Sequence, residues 1–147
     1  MELRFSIHGK IRRPVTEVFA AVHDPKQLAG YFATGGASGP LDEGATVEWR
    51  WHDFPDAVGE VKVREMAPNG RIVFEWEAAD GGYDTRVEMT FESLDAGSAL
   101  VRIEESGWRE TPEGLKASYG NCEGWTSFLC CLKVWLEQGV NLREYFY

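Results

Sequence analysis

Residues Gly124–Gly139 read GWTSFLCCLKVWLEQG, and the disposition of this stretch decides the fold. It is rich in leucine and aromatic residues, yet Lys133 and Glu137 interrupt it. Its longest uncharged run, Gly124 to Leu132, has nine residues, against the roughly twenty that a bilayer crossing needs. A membrane anchor is excluded. At about 100° per residue, Trp125, Leu129, Leu132 and Leu136 form one stripe, widened by Phe128, Cys131 and Trp135, with Thr126, Cys130, Lys133 and Glu137 opposite. The same period reaches back to about Glu113 without a proline, and Gly139 suits a helix C-cap. A helix from Glu113 to Gln138 is on the order of 35 Å long. Its stripe needs an apolar cover of similar length. Gly120 and Gly124 each cost about 1 kcal/mol relative to alanine inside a helix. The spacing therefore predicts either a close approach to the cover or a bend, with the N-terminal half standing off.

The cover lies upstream. From Ala45 to Trp108 the apolar period is two, in five successive strands: ATVEWRW, AVGEVKVREM, RIVFEWE, TRVEMTFESL and SALVRIEESGW. Turn residues join them, Pro68-Asn69-Gly70, Gly81-Gly82 and Asp95-Ala96-Gly97, so the strands form an antiparallel meander. One face collects Val47, Trp49, Trp51, Val61, Val63, Ile72, Phe74, Trp76, Val87, Met89, Phe91, Val101 and Ile103. The other alternates acidic and basic residues, as a solvated sheet surface does.

Ahead of the meander, Leu3, Phe5, Ile7 and Ile11 fall on one face of a first strand. Pro14 then opens a helix carrying Val15, Val18, Phe19 and Val22, and a second short helix follows over about Pro25 to Tyr31. The stretch TGGASGPLDEG reads as a loop. Its glycines follow a helix and lead into a strand, the reverse of the order used by phosphate-binding loops. The resulting expectation is an α+β fold, with a six-stranded curved antiparallel sheet gripping the long C-terminal helix and two short helices closing one end. It occupies residues 1–147 as a single domain.

Charge and cysteine usage narrow the function. The net charge of -9 repels nucleic-acid phosphates and acidic lipid surfaces alike. Neither nucleic acid nor membrane insertion is expected. The N-terminal MELRFSIHGKIRRP has no uninterrupted apolar segment of signal-peptide type, so the cytoplasm is the expected location. Cys122, Cys130 and Cys131 cannot staple distant segments, lack zinc-ligand spacing, and read as reduced, buried small hydrophobes. No metal or cofactor is expected.

Three stretches, IRRPVTEVFAAVHDPKQLAGYF, VREMAPNGRIVFEWE and GWTSFLCCLKVWLE, carry a resemblance. Together and in this order, the chain resembles the START-like or SRPBCC superfamily. Within it, the chain is most similar to single-domain bacterial relatives of the activator of the heat-shock protein ninety ATPase (AHSA-type). The resemblance implies the helix-grip (birch-pollen-allergen-like) fold. It also implies a hydrophobic cavity between sheet and helix, used by different members for apolar ligands and by a minority for cyclase or hydrolase chemistry. The chaperone activators of this branch also use a separate N-terminal domain, for which these residues leave no room. That sets chaperone docking behind ligand binding.

Six tryptophans, and 13% aromatic residues in all, exceed what a core of this size needs as filler. By inward alternation Trp49, Trp51, Phe74, Trp76, Met89, Trp125 and Phe128 converge, with Leu132 on the same helix stripe. The resemblance adds Tyr31, Phe32 and Trp108 near the mouth. The residues line either a ligand cavity or a solid aromatic core. Glu105 follows Val101 and Ile103 in phase, so it faces either an apolar pocket as a candidate acid or base, or water and a charged partner at the strand end. Glu65 shares the ambiguity, because a bulge beside it would switch its face. His8, His23 and His52 read as surface residues without a nucleophile partner. The leading expectation is a carrier or sensor for a small apolar or aromatic ligand. The alternatives are a polyketide cyclase- or hydrolase-like enzyme using Glu105, and a chaperone-docking or homodimerising module. The tail VNLREYFY either folds back over the sheet or pairs with another copy.

Overall fold

The computed structural model describes residues Met1–Tyr147. Strand β1 (Arg4–Ile11) leads into α1 (Val15–His23) and α2 (Pro25–Leu28). A two-residue strand β2 (Gly36–Ala37) precedes the meander of β3 (Thr46–Trp51), β4 (Phe54–Ala67), β5 (Arg71–Glu77), β6 (Asp84–Asp95) and β7 (Ser98–Ser106). Helix α3 (Pro112–Gln138) follows. The sheet is antiparallel throughout, in the order β1-β7-β6-β5-β4-β3-β2. It is an α+β helix-grip fold.

The sheet has seven strands rather than six. Within the glycine-rich connection, Gly36 and Ala37 pair with Arg50 and Trp49 of β3. Gly36 does so at φ +121°, a conformation that leaves no alternating apolar pattern to read. Helix α2 also stops at Leu28, earlier than Tyr31. The chain tightens there, with both Phe32 and Ala33 donating to the Leu28 carbonyl. Strand β7 ends at Ser106, because Gly107 at φ +102° turns the chain before Trp108.

The meander's inner face packs as its alternation requires. The register shifts between Val63 and Glu65 so that Met66 still reaches the core, while Glu65 is exposed and pairs with Arg71 at 3.6 Å. On the outer face, Arg64 meets Glu75 at 2.7 Å and Arg71 meets Glu88 at 3.2 Å across neighbouring strands. One cluster of 27 buried residues joins the inner face to α1, the segment after α2, and the middle of α3.

Helix α3 begins with Thr111 capping the Gly114 N–H at 3.0 Å and ends at Gly139 in the left-handed region, φ 69°. A Cβ on either Gly120 or Gly124 would meet nothing within 4 Å. Close approach to the sheet is therefore not their reason. Nor does the N-terminal half stand off, because Gly114, Ala117 and Ser118 are buried.

Candidate functional site

Alternation along β7 turns Ala99, Val101, Ile103 and Glu105 inward, and the last of these is a carboxylate only 1% exposed. Four side chains donate to it. Oε1 accepts from Trp125 Nε1 at 2.8 Å, and Oε2 from Thr85 Oγ1 at 2.6 Å and Trp76 Nε1 at 3.1 Å. Asn121 Nδ2 reaches both oxygens at 3.0 Å. Asn121 and Trp125 are four apart on α3 and so share a face, while Trp76 and Thr85 are cross-strand partners on β5 and β6. All five bonds come from neutral donors. Burying a carboxylate costs several kcal/mol unless hydrogen bonds replace its water, and here they do. No cation is among the partners of Glu105. Its roughly four lone-pair sites are filled, so it orients two indoles and offers no free acceptor to a substrate.

Around this node the rings touch. Trp125 lies 5.5 Å from Trp76, 6.2 Å from Phe74 and 5.2 Å from Phe128, between ring centroids. Trp49 packs on Phe74 at 5.5 Å and on Trp76 at 5.8 Å. Phe32 completes the cluster, at 5.3 Å from Trp49, 5.7 Å from Trp51, 5.8 Å from Trp125 and 4.9 Å from Phe128. Edge-to-face geometry dominates, as ring quadrupoles favour. Met89 and Leu132, both 0% exposed, belong to the same core.

Where a cavity was expected, Phe32 packs between the inner sheet and α3, in contact with rings from both. Two other placements differ from expectation. Tyr31 is not at a mouth: it is 0% exposed, packs on Phe128 and Trp135, and donates to the Ala21 carbonyl at 2.9 Å. Burial, and then the neighbouring Cys131, push its hydroxyl well above the usual tyrosine pKa. Trp108 stands apart. The turn at Gly107 carries it into a small second cluster with Ala78 and Ala117, against Phe5 at 5.5 Å.

Five of the six indole N–H groups fall into two sets. Those of Trp76 and Trp125 are matched by Glu105, whereas those of Trp49, Trp51 and Trp108 are buried with no partner. Trp49 is 0% exposed, so its unmatched donor is fully buried.

Open space lies elsewhere. A groove of about 570 Å³ separates α3 from the C-terminal segment, lined by Tyr119, Thr126, Phe146 and Tyr147 among others. A second, of about 540 Å³, runs between β1 and α3 past Ile7 and Leu129. Neither is lined by any of the eleven binding residues named above. Cys130 borders both grooves and is exposed, and Cys122 is half-buried, so only Cys131 fits the buried reading of the three thiols. The reason is the helix period, which turns position 130 away from the core. Burial raises the Cys131 pKa and keeps that thiol unreactive.

The C-terminal segment folds back. Arg143 is 7% exposed and grips Asp53 with two bonds, Nε to Oδ2 at 2.9 Å and Nη2 to Oδ1 at 3.1 Å. The guanidinium lies 5.7 Å from the Phe32 ring and 5.0 Å from Tyr147. Thr85, Asn121, Asp53 and Arg143 escaped the sequence reading. Thr85 precedes Val87 in inward phase, and Asn121 precedes Trp125 by one helical turn, so both carried a signal. The Asp53–Arg143 pair, 90 positions apart, carried none.

His23 meets Asp42 at 2.7 Å and His52 meets the Thr34 hydroxyl at 2.6 Å, both in exposed positions. No group of three or more His, Cys, Asp or Glu side chains converges to hold a metal. No helix is long and apolar enough to cross a membrane.

The model of the family of activator of Hsp90 ATPase homolog 1-like proteins, AHSA1, matches residues 12–137. The chain belongs to this family. A solved structure, that of protein SSP2350 from Staphylococcus saprophyticus, is 27% identical with a TM-score of 0.77, covering 97% of this chain and 96% of that one. DynU16, a protein of the dynemicin biosynthetic locus, is 25% identical with a TM-score of 0.79, over 96% of this chain and 49% of that one. The Aha1 dimer from Colwellia psychrerythraea, at 22% identity and TM-score 0.76 over 92% of this chain and 97% of that one, is similar in fold. Among curated proteins none matches.

Proposed function

We propose that this AHSA1-family protein is a carrier or sensor, binding a small, flat, apolar or aromatic ligand within the aromatic cluster between the sheet and α3. The observation that carries the reading is the pair of unmatched donors. Trp49 and Trp51 hold buried indole N–H groups without acceptors beside rings that offer apolar faces. A buried unmatched donor costs about 1–3 kcal/mol, and a ligand oxygen would recover that cost. The ligand class is therefore an aromatic or otherwise flat apolar molecule with a carbonyl or ether acceptor.

Titration of tryptophan emission with one- and two-ring aromatic ketones tests the reading. The expected result is a saturable change that weakens in Trp49→Phe. Absence of any saturable change across the panel, in protein that circular dichroism shows to be folded, refutes it.

An enzymatic role for Glu105 is the weaker alternative, because its oxygens are occupied by Trp76, Thr85, Asn121 and Trp125. Homodimerisation is supported by a different observation. Tyr145 is fully exposed, and Phe146 and Tyr147 are about half exposed on the C-terminal segment, and the Colwellia relative is a dimer in solution. Sedimentation of the protein and of a Tyr145→Ser/Phe146→Ser variant separates monomer from dimer.

A further inference from the structure

The ring of Phe32 is placed unlike its neighbours. Of the rings meeting at Trp125, those of Phe74, Trp76 and Phe128 are borne on β5 or α3, whereas Phe32 sits on the connection after α2. A side chain on a connection moves without breaking a sheet ladder or a helix. Phe32 touches Trp49 and Trp51, two of the three tryptophans whose N–H groups lack acceptors, and it cannot supply one. Over its outer side lies the Arg143 guanidinium, at 5.7 Å, held by two bonds to Asp53. Asp53 sits between Trp51 and Phe54, where β3 turns into β4. The ion pair therefore ties the C-terminal segment to that hairpin across the Phe32 ring. Both charges are nearly covered, with side-chain exposures of 8% and 12%.

We infer that Phe32 is the protein's own occupant of the ligand site, and that the Arg143–Asp53 pair is the latch holding it in place. A ligand carrying one aromatic ring and an adjacent acceptor oxygen takes the position of the Phe32 ring and satisfies the indole N–H groups of Trp49 or Trp51. This rests on the binding reading above and adds an occupant, an acceptor requirement and an entry route. It makes the closed state, with Phe32 inside, the resting form. Apparent affinity is then reduced by the fraction of molecules that are open.

Acetophenone is a suitable probe, since it pairs a phenyl ring with one carbonyl, and cumene is its acceptor-free counterpart. With 4-fluorophenylalanine at position 32, saturating acetophenone should move the fluorine resonance from a buried to a solvent-like shift. By stopped-flow tryptophan emission, the wild-type association rate should level off with probe concentration, as opening becomes limiting. Asp53→Asn and Arg143→Gln should each raise that plateau on the order of tenfold, since losing the latch speeds opening and enlarges the open fraction. Cumene should bind up to about tenfold more weakly than acetophenone, the worth of one net hydrogen bond.

If acetophenone binds while the position-32 resonance stays fixed and neither latch variant changes the rate, Phe32 is no plug and the inference is overturned, though the binding reading stands. If acetophenone binds neither the wild type nor the folded latch variants, both fall. Circular dichroism on each variant confirms that it is folded before its rate is compared.

Discussion

Replacing Glu105 by glutamine is the sharpest probe of the interior. The amide keeps the size of the side chain and one acceptor oxygen, but its other atom becomes a donor. Whichever way it is set, an indole N–H then faces an NH₂ group: Trp125 Nε1 across 2.8 Å, or Trp76 Nε1 across 3.1 Å. One buried donor left unmatched costs about 1–3 kcal/mol, and the bonds that survive lose the charge assistance that roughly doubles their strength. Against this, removing a buried charge returns several kcal/mol of desolvation. The one stranded donor and the weakening of the bonds that survive together outweigh that return, so the net expectation is a loss of about 2 kcal/mol for Glu105→Gln. Glu105→Leu strands both indoles and the Thr85 hydroxyl and should cost about 4 kcal/mol by the same reasoning. For a domain of this size the first value corresponds to a fall in Tm of about 4–8 °C. Urea unfolding followed by far-ultraviolet circular dichroism measures it without relying on tryptophan emission, which the substitution itself alters. A cycle with Trp125→Phe isolates the bond, and the two changes should couple by about 1 kcal/mol. A Glu105→Leu protein as stable as the wild type, or a cycle with no coupling, would refute the claim that the carboxylate organises these indoles.

Two further outcomes follow from particular residues. Gly120→Ala and Gly124→Ala, each with open space around the new methyl group, should raise stability by about 0.5–1 kcal/mol each in urea unfolding, through helix propensity and a less flexible unfolded chain. Destabilisation by either would show that the glycine serves a bend or a motion of α3. Glu137 accepts from Lys133 Nζ and from the Arg12 N–H at 3.0 Å, and these contacts, led by Lys133, hold its pKa below the usual glutamate value. Its contribution to stability is therefore complete above the unfolded-state pKa of about 4.3 and disappears as pH falls through the lower folded-state value. Glu137→Gln should be less stable than the wild type at neutral pH and converge with it in acid, and an equal gap at pH 7 and pH 2 would contradict this.

Much of this architecture was legible before any tertiary information. A period of two from Ala45 to Trp108 and a period of 3.6 in the last helix each specify which side chains face inward, and two apolar faces of matching length have to cover one another. That argument yields the sheet, the gripping helix and the inward position of Glu105. It could not detect the two-residue strand at Gly36–Ala37, because glycine leaves no alternation to read. The inward phase of Thr85 and the helical spacing of Asn121 from Trp125 were visible, but nothing local says that both meet one carboxylate.

What the sequence alone determined is the direction each residue faces, since direction is set by backbone periodicity within one element. What only the tertiary structure decided is which faces meet and at what distance. Glu105 could have met water or a cation, and the fold instead surrounds it with four neutral donors drawn from β5, β6 and α3. Trp125 and Phe128 could have stood back from the sheet, and Phe32 instead fills the gap they would have left. The Arg143–Asp53 pair joins residues with no periodic relation, across a separation of 90 positions. Such contacts depend on how far each element is carried by all the others, and no local pattern encodes that distance.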